Sequence, residues 1–480
     1  MYLHRGRLHS DSSAFAQEEI HLVIMCCRRR LYIIITKKKI RSPLIFNEIR
    51  HYKNMITNLL LAIVCISCVT YVACLVVAKI YSPFWFNQPV YHTHDIYPKL
   101  CRQPFWKQPN VPTTYKGYYW DPKHIITVPV SELTLNTWLQ MEKLLQGHYL
   151  DQEFILNTTS VSVMQNILYG DSYISLYWDT TNRIIRGENG LHNNVEEVYD
   201  LEVLCGCLCS RPLQVYFMHF SESNVKIHDI QWICTHDTYK DKPISRKLIQ
   251  THTIQHRIQS PTFSGGYIFL KHHDLCKAVV PLTTFNTYTF VLRDTRIHKL
   301  PINYKFRRLS TADERLWSEI YSQITMQYEI ACLPELAQSL SWLKNERYSM
   351  YVTMYFEEGF ENIHGLYVFE NTNMSWDDDT LQKKNMIRLV ASMVFGGKKV
   401  HSHDMNHLLF FRGFLNCMHS YIQKAADFGV LEIPCVSDNG ILLEKWREKY
   451  ETRNETMSAY YLYNMVYPMS PIPSSNIFIL

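Results

Sequence analysis

Residues 227–259 read IHDIQWICTHDTYKDKPISRKLIQTHTIQHRIQ. The first nine residues form an alternating apolar strand, a turn rich in Lys and Asp follows, and the pattern then becomes helical over 245–259. A strand that hands over to a helix N-terminus leaves unpaired backbone N–H groups and the positive end of the helix dipole, which suits a phosphate or pyrophosphate. Lys240 and Lys242 add point charges there, just before Ile244 and Ser245. The same spacing also describes an ordinary solvated turn, and spacing alone does not choose.

Outward from this stretch, about 400 residues carry no long low-complexity linker, and short strand-like runs alternate with helical ones, an α/β or α+β pattern. Strands are predicted over 172–178, 201–209, 214–220, 227–235, 267–270, 288–292, 348–355 and 366–370, and helices over 133–147, 245–259, 312–326, 408–428 and 441–449. The segment 180–199, with Gly187, Gly190 and several Asn, reads as a polar loop. Cys205, Cys207 and Cys209 alternate at the strand period and are expected on one face, packed in a core rather than binding metal, because no two CxxC elements lie at metal-ligand separation and no His sits nearby at ligand spacing.

At 480 residues with 47% hydrophobic and 13% aromatic content, the composition is globular. Gly 16 and Pro 19 exclude collagen-like chains, and a net charge of +5, from 49 basic and 44 acidic residues, is too balanced to imply a nucleic-acid partner. Near the front, 57–78 reads TNLLLAIVCISCVTYVACLVVA, 22 residues without formal charge. That length crosses a hydrocarbon layer of about 30 Å at about 1.5 Å per residue, so a single-pass membrane helix is expected, with a cleaved signal peptide as the rival. Lys37, Lys38, Lys39, Arg41, Arg50 and Lys53 precede the span and Lys79 alone closely follows it, which places the N-terminus in the cytosol and the body opposite. A start at Met55 would remove that flank and reverse the bias; residues 1–54 are a basic tail or are absent from the mature protein. Sequons at Asn157, Asn373 and Asn454 do not settle the orientation.

The stretch 227–259 resembles the signature of the N-myristoyltransferases (glycylpeptide N-tetradecanoyltransferases), close to EINFLCVHKxLRSKRxAPxLI. Asp229, Ile230, Gln231, Trp232, Ile233, Cys234, Thr235 and His236 align without a gap, followed by Lys240, Lys242, Leu248 and Ile249. Four further elements keep the family's order. Phe84 to Val90 (FWFNQPV) resembles FWxTQPV, and Phe263-Ser264-Gly265-Gly266 resembles YTAG. Ser437 to Trp446 resembles DNxxFLEKLKF, and Tyr460 to Asn464 reads YYLYN, as the family does.

The resemblance spans about residues 81–480 and implies an α/β (α+β) fold of two GNAT acyltransferase-like halves forming one body. Residues 81–300 would bind myristoyl-CoA and 301–480 the peptide. The implied reaction is transfer of myristate to an N-terminal glycine, with myristoyl-CoA as co-substrate and no permanently bound cofactor, by a monomer whose body faces the cytosol. The roles carried over are an oxyanion hole at the backbone of Trp232 and Ile233, and the carboxylate of Leu480 as base. Gln231 and Ser264 would hold the glycine amine, and Phe84, Trp85, Lys240, Lys242, Ile244 and Ser245 would bind acyl-CoA. Asp241 and Pro243 depart from the basic phosphate loop, Arg246 and Lys247 offer charge one turn later, and the family's GxGDG run is missing. A catalytically silent acyl- or peptide-binding membrane protein of the same fold is the alternative.

Overall fold

The structure is a computed structural model that describes residues 22–27, 30–35, 43–110, 117–149, 154–156, 168, 170–186, 196–218, 220, 224–239, 241–273, 276–292, 296–344, 348–377, 383–395, 403–424 and 428–480. The chain divides into two compact units, 1–74 and 75–480. The first holds a hairpin of β1 (Leu22–Cys27) and β2 (Arg30–Ile35) and most of helix α1 (Pro43–Tyr81). Within α1, the 31 residues His51–Tyr81 are long and apolar enough to cross a membrane, and none of the apolar window is buried.

The second unit contains β3 (Phe105–Trp106), β4 (Ile125–Pro129), β5 (Phe154–Leu156), β6 (Tyr173–Arg186), β7 (Glu196–Phe217), β8 (Asn224–Thr235), β9 (Tyr267–His272) and β10 (Thr283–Val291). It continues with β11 (Tyr304–Arg308), β12 (Ile330–Leu333), β13 (Tyr348–Glu357), β14 (Phe360–Asp377), β15 (Lys383–Val394), β16 (Phe428–Pro434), β17 (Asn454–Tyr463), β18 (Met465–Val466) and β19 (Ile477–Ile479). Fifteen of these form one sheet in the order β11-β13-β14-β15-β16-β10-β17-β9-β8-β7-β12-β19, with β4 and β6 reached through β7 and β5 through β14. β10 lies between two strands from beyond residue 300, and β12 and β19 join the edge of β7, so strands from 81–300 and 301–480 interleave.

The principal helices are α2 (Pro83–Phe86), α3 (Tyr97–Leu100), α4 (Leu135–His148), α5 (Ile244–Gln259), α6 (Glu314–Gln327), α7 (Leu336–Trp342), α8 (His403–Lys424) and α9 (Asn439–Arg447). α5 buries Ile244, Leu248 and Thr251 at helical spacing against β6 and β7. Its close approach needs Gly206, where a Cβ would stand 3.1 Å from Leu248 Cδ1 and 3.3 Å from Ile244 Cγ2. α8 and α9 pack together, with Phe410, Phe414 and Trp446 in one core.

Three local expectations are corrected. The segment 180–199 is not a loop throughout: Thr180 to Arg186 and Glu196 to Tyr199 extend β6 and β7 as paired arms, in keeping with the β-branched Thr180, Thr181, Ile184, Ile185 and Val198. The predicted strands 201–209 and 214–220 are one strand, β7, which exchanges neighbours in its middle. Along β7, pairing with β6 runs as far as Ser210, opposite Tyr173, and pairing with β12 starts at Gln214, opposite Leu333, so Pro212 falls in the gap between them. The three cysteines do not share a face. The β6–β7 register shifts at Cys205, which packs with Leu208 and Leu248, while Cys207 and Cys209 pack on the other side with Trp138 and Trp232.

Candidate functional site

β8 and β9 run parallel, but pair only over His228 to Ile230 against Tyr267 to Phe269. Beyond that point both strands continue and part, so residues 231–235 of β8 have no β9 neighbour. On its other edge, β8 shifts register against β7 between Ser210–Ile230 and Cys209–Trp232, leaving Gln231 as the extra residue of a bulge. The Gln231 carbonyl accepts a hydrogen bond from the Tyr149 hydroxyl at 3.4 Å, and burial pushes that phenol up to about 12.

A cavity of about 220 Å³ opens at this parting, with Gln231 and Trp232 in its wall. Ile479 and Leu480 also line it. β19 pairs in parallel with β12, the Leu480 N–H donates to the Cys332 carbonyl at 3.0 Å, and Ile477 to Leu480 are buried. Arg211, in the gap of β7, joins the two sides: its guanidinium donates to the Leu480 carbonyl oxygen at 3.2 Å and to Asp229 Oδ2 at 3.1 Å. The Gln231 amide also donates to Asp229 Oδ2. Burial raises the Asp229 carboxyl above its ordinary range, with Arg211 and Gln231 opposing that shift. Farther along the wall, Arg388 lies 2.8 Å from Glu432 and 3.5 Å from Glu370. The cavity wall thus carries three side-chain carboxyl groups, Asp229, Glu370 and Glu432, beside the two guanidiniums of Arg211 and Arg388.

At the strand–helix junction, β8 ends in a turn and α5 starts at Ile244 behind Pro243 without a side-chain cap. The Ile244 and Lys247 N–H groups are met by the carbonyls of Lys242 and Pro243, which leaves those of Ser245 and Arg246 at the helix mouth. Lys242 rests over the Tyr239 ring at 4.3 Å. Lys247 does not supplement the loop's charge as expected, because its ammonium is held 2.7 Å from Asp121. Lys240 lies outside the described residues.

A crystal structure of Saccharomyces cerevisiae N-myristoyltransferase with bound myristoyl-CoA matches with a TM-score of 0.60 at 11% identity, covering 83% of this chain and 99% of that one. A second structure of the yeast enzyme with bound myristoyl-CoA gives 0.59 at 12%, covering 82% and 90%. The chain has the N-myristoyltransferase fold. No protein-family model matches the sequence, and no curated protein matches it.

Within this N-myristoyltransferase fold, the structure brings Gln231, Trp232 and Leu480 to one cavity, while Ile233 packs in the core beneath α5. Ser264 does not join them. It precedes the paired stretch of β8 and β9 whereas Gln231 follows it, and it lines a separate cavity of about 130 Å³ with His228 and His256. On that wall Leu270 and His272 of β9 face the main cavity instead. Phe84 is a core residue, in edge contact with Tyr119 at 5.0 Å. Trp85 stacks at 5.4 Å on Phe269, the last β9 residue paired with β8, and so stands at the parting. The Ile244 side chain is buried, which leaves only its backbone for a ligand, and Ser245 is half-buried at the helix mouth. Sequence reasoning missed Arg211, Tyr149, Glu370, Arg388 and Glu432. Arg211 sat in an apparent strand break, and the other four are joined only by strand and helix packing.

Proposed function

We propose that the chain transfers a myristoyl group from myristoyl-CoA to the N-terminal glycine of a protein. The observation that carries this reading is the delivery of Leu480 by β19 into the cavity where β8 and β9 part, opposite Gln231. With Leu480 as the last residue, its carboxylate takes a proton from the glycine ammonium. The neutral amine attacks the thioester carbonyl; the tetrahedral intermediate then breaks its C–S bond while its nitrogen gives up a second proton to the departing sulfur, yielding the amide and the CoA thiol. Trp232 and Ile233 are the proposed N–H donors. Neighbouring N–H groups of a regular strand point to opposite edges, so such a pair converges only where the strand is irregular, and the bulge at Gln231 lies immediately before them. Gln231 and the acidic wall would hold the ammonium. Trp85, the Ser245 mouth, Lys240 and Lys242 would hold acyl-CoA. Residues 81–300 supply most of the acyl-CoA side and 301–480 most of the peptide side, in a monomer.

A second reading, a silent acyl- or peptide-binding protein, is favoured by the phosphate loop, where Pro243 lacks a donor and Lys247 is committed to Asp121. The full chain in detergent, given myristoyl-CoA and a Gly-initiated peptide, separates the two. Acyl-peptide detected by mass spectrometry supports transfer; CoA binding by calorimetry without acyl-peptide supports the silent module. α1 anchors the protein, and an active enzyme needs 81–480 on the cytosolic side, opposite to the bias of the basic flank. Protease protection in sealed vesicles, comparing starts at Met1 and Met55, reads that orientation directly.

A further inference from the structure

The segment following α2 reads Tyr91-His92-Thr93-His94-Asp95, and ligand atoms from His92, His94 and Asp95 all lie within 4.8 Å of one another. The backbone there is fixed, with His92 bridged to Val279 and the Thr93 N–H donating to the Ala278 carbonyl at 3.2 Å. His92 is buried and its Nε2 lies 2.8 Å from the Trp85 carbonyl oxygen, which can only accept. That contact places a proton on Nε2, so in the neutral imidazole the lone pair is on Nδ1. Nδ1 faces Asp95 Oδ2 at 3.4 Å. The same oxygen accepts the His92 N–H at 2.9 Å and lies 2.5 Å from the Lys107 ammonium. The His94 ring stacks between Phe86 and His92, at 5.4 and 4.9 Å, and its Nδ1 is buried without a hydrogen-bond partner.

Two imidazole lone pairs and a carboxylate converging in a partly buried site repel one another unless a cation lies among them. Lys107 meets only the carboxylate. We propose that His92, His94 and Asp95 bind a borderline divalent transition metal, zinc foremost, with Lys107 holding Asp95 when the metal is absent. Two imidazoles and one carboxylate form a donor set that suits zinc, and a coordinating histidine commonly donates its second N–H to a carbonyl, as His92 does to Trp85. The metal would then fix the segment bearing Trp85, whether or not the chain transfers acyl groups.

The test uses the full, tag-free chain in detergent, stripped of metal and titrated with Co²⁺. Visible d–d absorption saturating at one Co²⁺ per chain and displaced by Zn²⁺ is expected. His94→Ala, which removes a ligand, should weaken binding by more than the roughly 10–100-fold typical of losing an outer-shell partner, and Lys107→Met should strengthen it. Zn²⁺ should raise the melting midpoint of the parent but not of His94→Ala. Absence of the absorption band overturns the proposal, as does a band or a Zn²⁺-raised midpoint that persists in both His92→Ala and His94→Ala. Near-UV circular dichroism in chelator checks that the variants fold, and Asp95→Asn replaces any that does not. If no metal binds, His92 and Asp95 form only an ion pair, and an unshifted midpoint in the parent shows it.

Discussion

Arg211 connects the three components of the cavity, touching Asp229 on β8 and Leu480 beyond β19 while itself buried in β7. A buried ion pair adds little net stability when intact, but removal of one partner strands the other charge. Arg211→Met should therefore destabilise the fold by about 3–5 kcal/mol in urea unfolding, and Arg211→Met combined with Asp229→Leu should recover much of that. At this scale the sequence places Gln231 and Trp232 side by side in one contiguous motif, and both line the cavity. That Ser264 lines a separate cavity was not legible, because a four-residue resemblance after a helix does not say where the next strand begins. That strand starts at Tyr267, and its later residues, not Ser264, face the cavity.

Among the elements, α5 and β19 show two ways in which local pattern meets packing. α5 buries His252 and His256 against β6, β7 and β9, beside His228 of β8. His252 is hydrogen-bonded through Nδ1 to Ser175 and through Nε2 to Ser210, both at 2.9 Å, and Ser210 lies 3.2 Å from His228 Nδ1. Burial depresses all three imidazoles, His252 to about 3. A base with a lowered folded pKa takes up protons mainly in the unfolded chain, so its contribution is intact above about pH 6.5 and falls as the pH drops below it. Stability should decline by up to about 4 kcal/mol per pH unit for the three together between about pH 6.5 and about pH 4, and His252→Gln should flatten the slope. Urea midpoints across that range check it. For β19, Phe478 is fully buried with its ring 5.1 Å from Tyr328, and Phe478→Ala should cost about 3–5 kcal/mol by the same measurement. The apolar run Ile477 to Leu480 was legible as something too hydrophobic to leave in water. Its parallel pairing with β12 was not, because nothing local links residues 330–333 to 477–479.

In the second unit, β10 is hydrogen-bonded to β16 and β17 on its two sides, and β7 takes β12 at the edge where β6 stops. Residues 81–300 alone would leave β10 with neither neighbour and the lower part of β7 as a bare edge. Expressed separately, 81–300 should show no cooperative thermal unfolding and no dispersed amide spectrum, whereas 81–480 should show both. A dispersed spectrum from 81–300 would establish an independent half.

By itself, the sequence determined the apolar span, the strand–turn–helix unit at 227–259 and the apolar final residues, since hydrophobic period and turn chemistry are local properties. The tertiary structure decided which strands become neighbours, where bulges turn Cys205 and Gln231 away from their regular places, and that Arg211 meets Asp229 and Leu480 in one cavity. Those outcomes depend on pairing between residues far apart in the chain, where register and partner are set by the packing of the whole sheet and by no pattern within one segment.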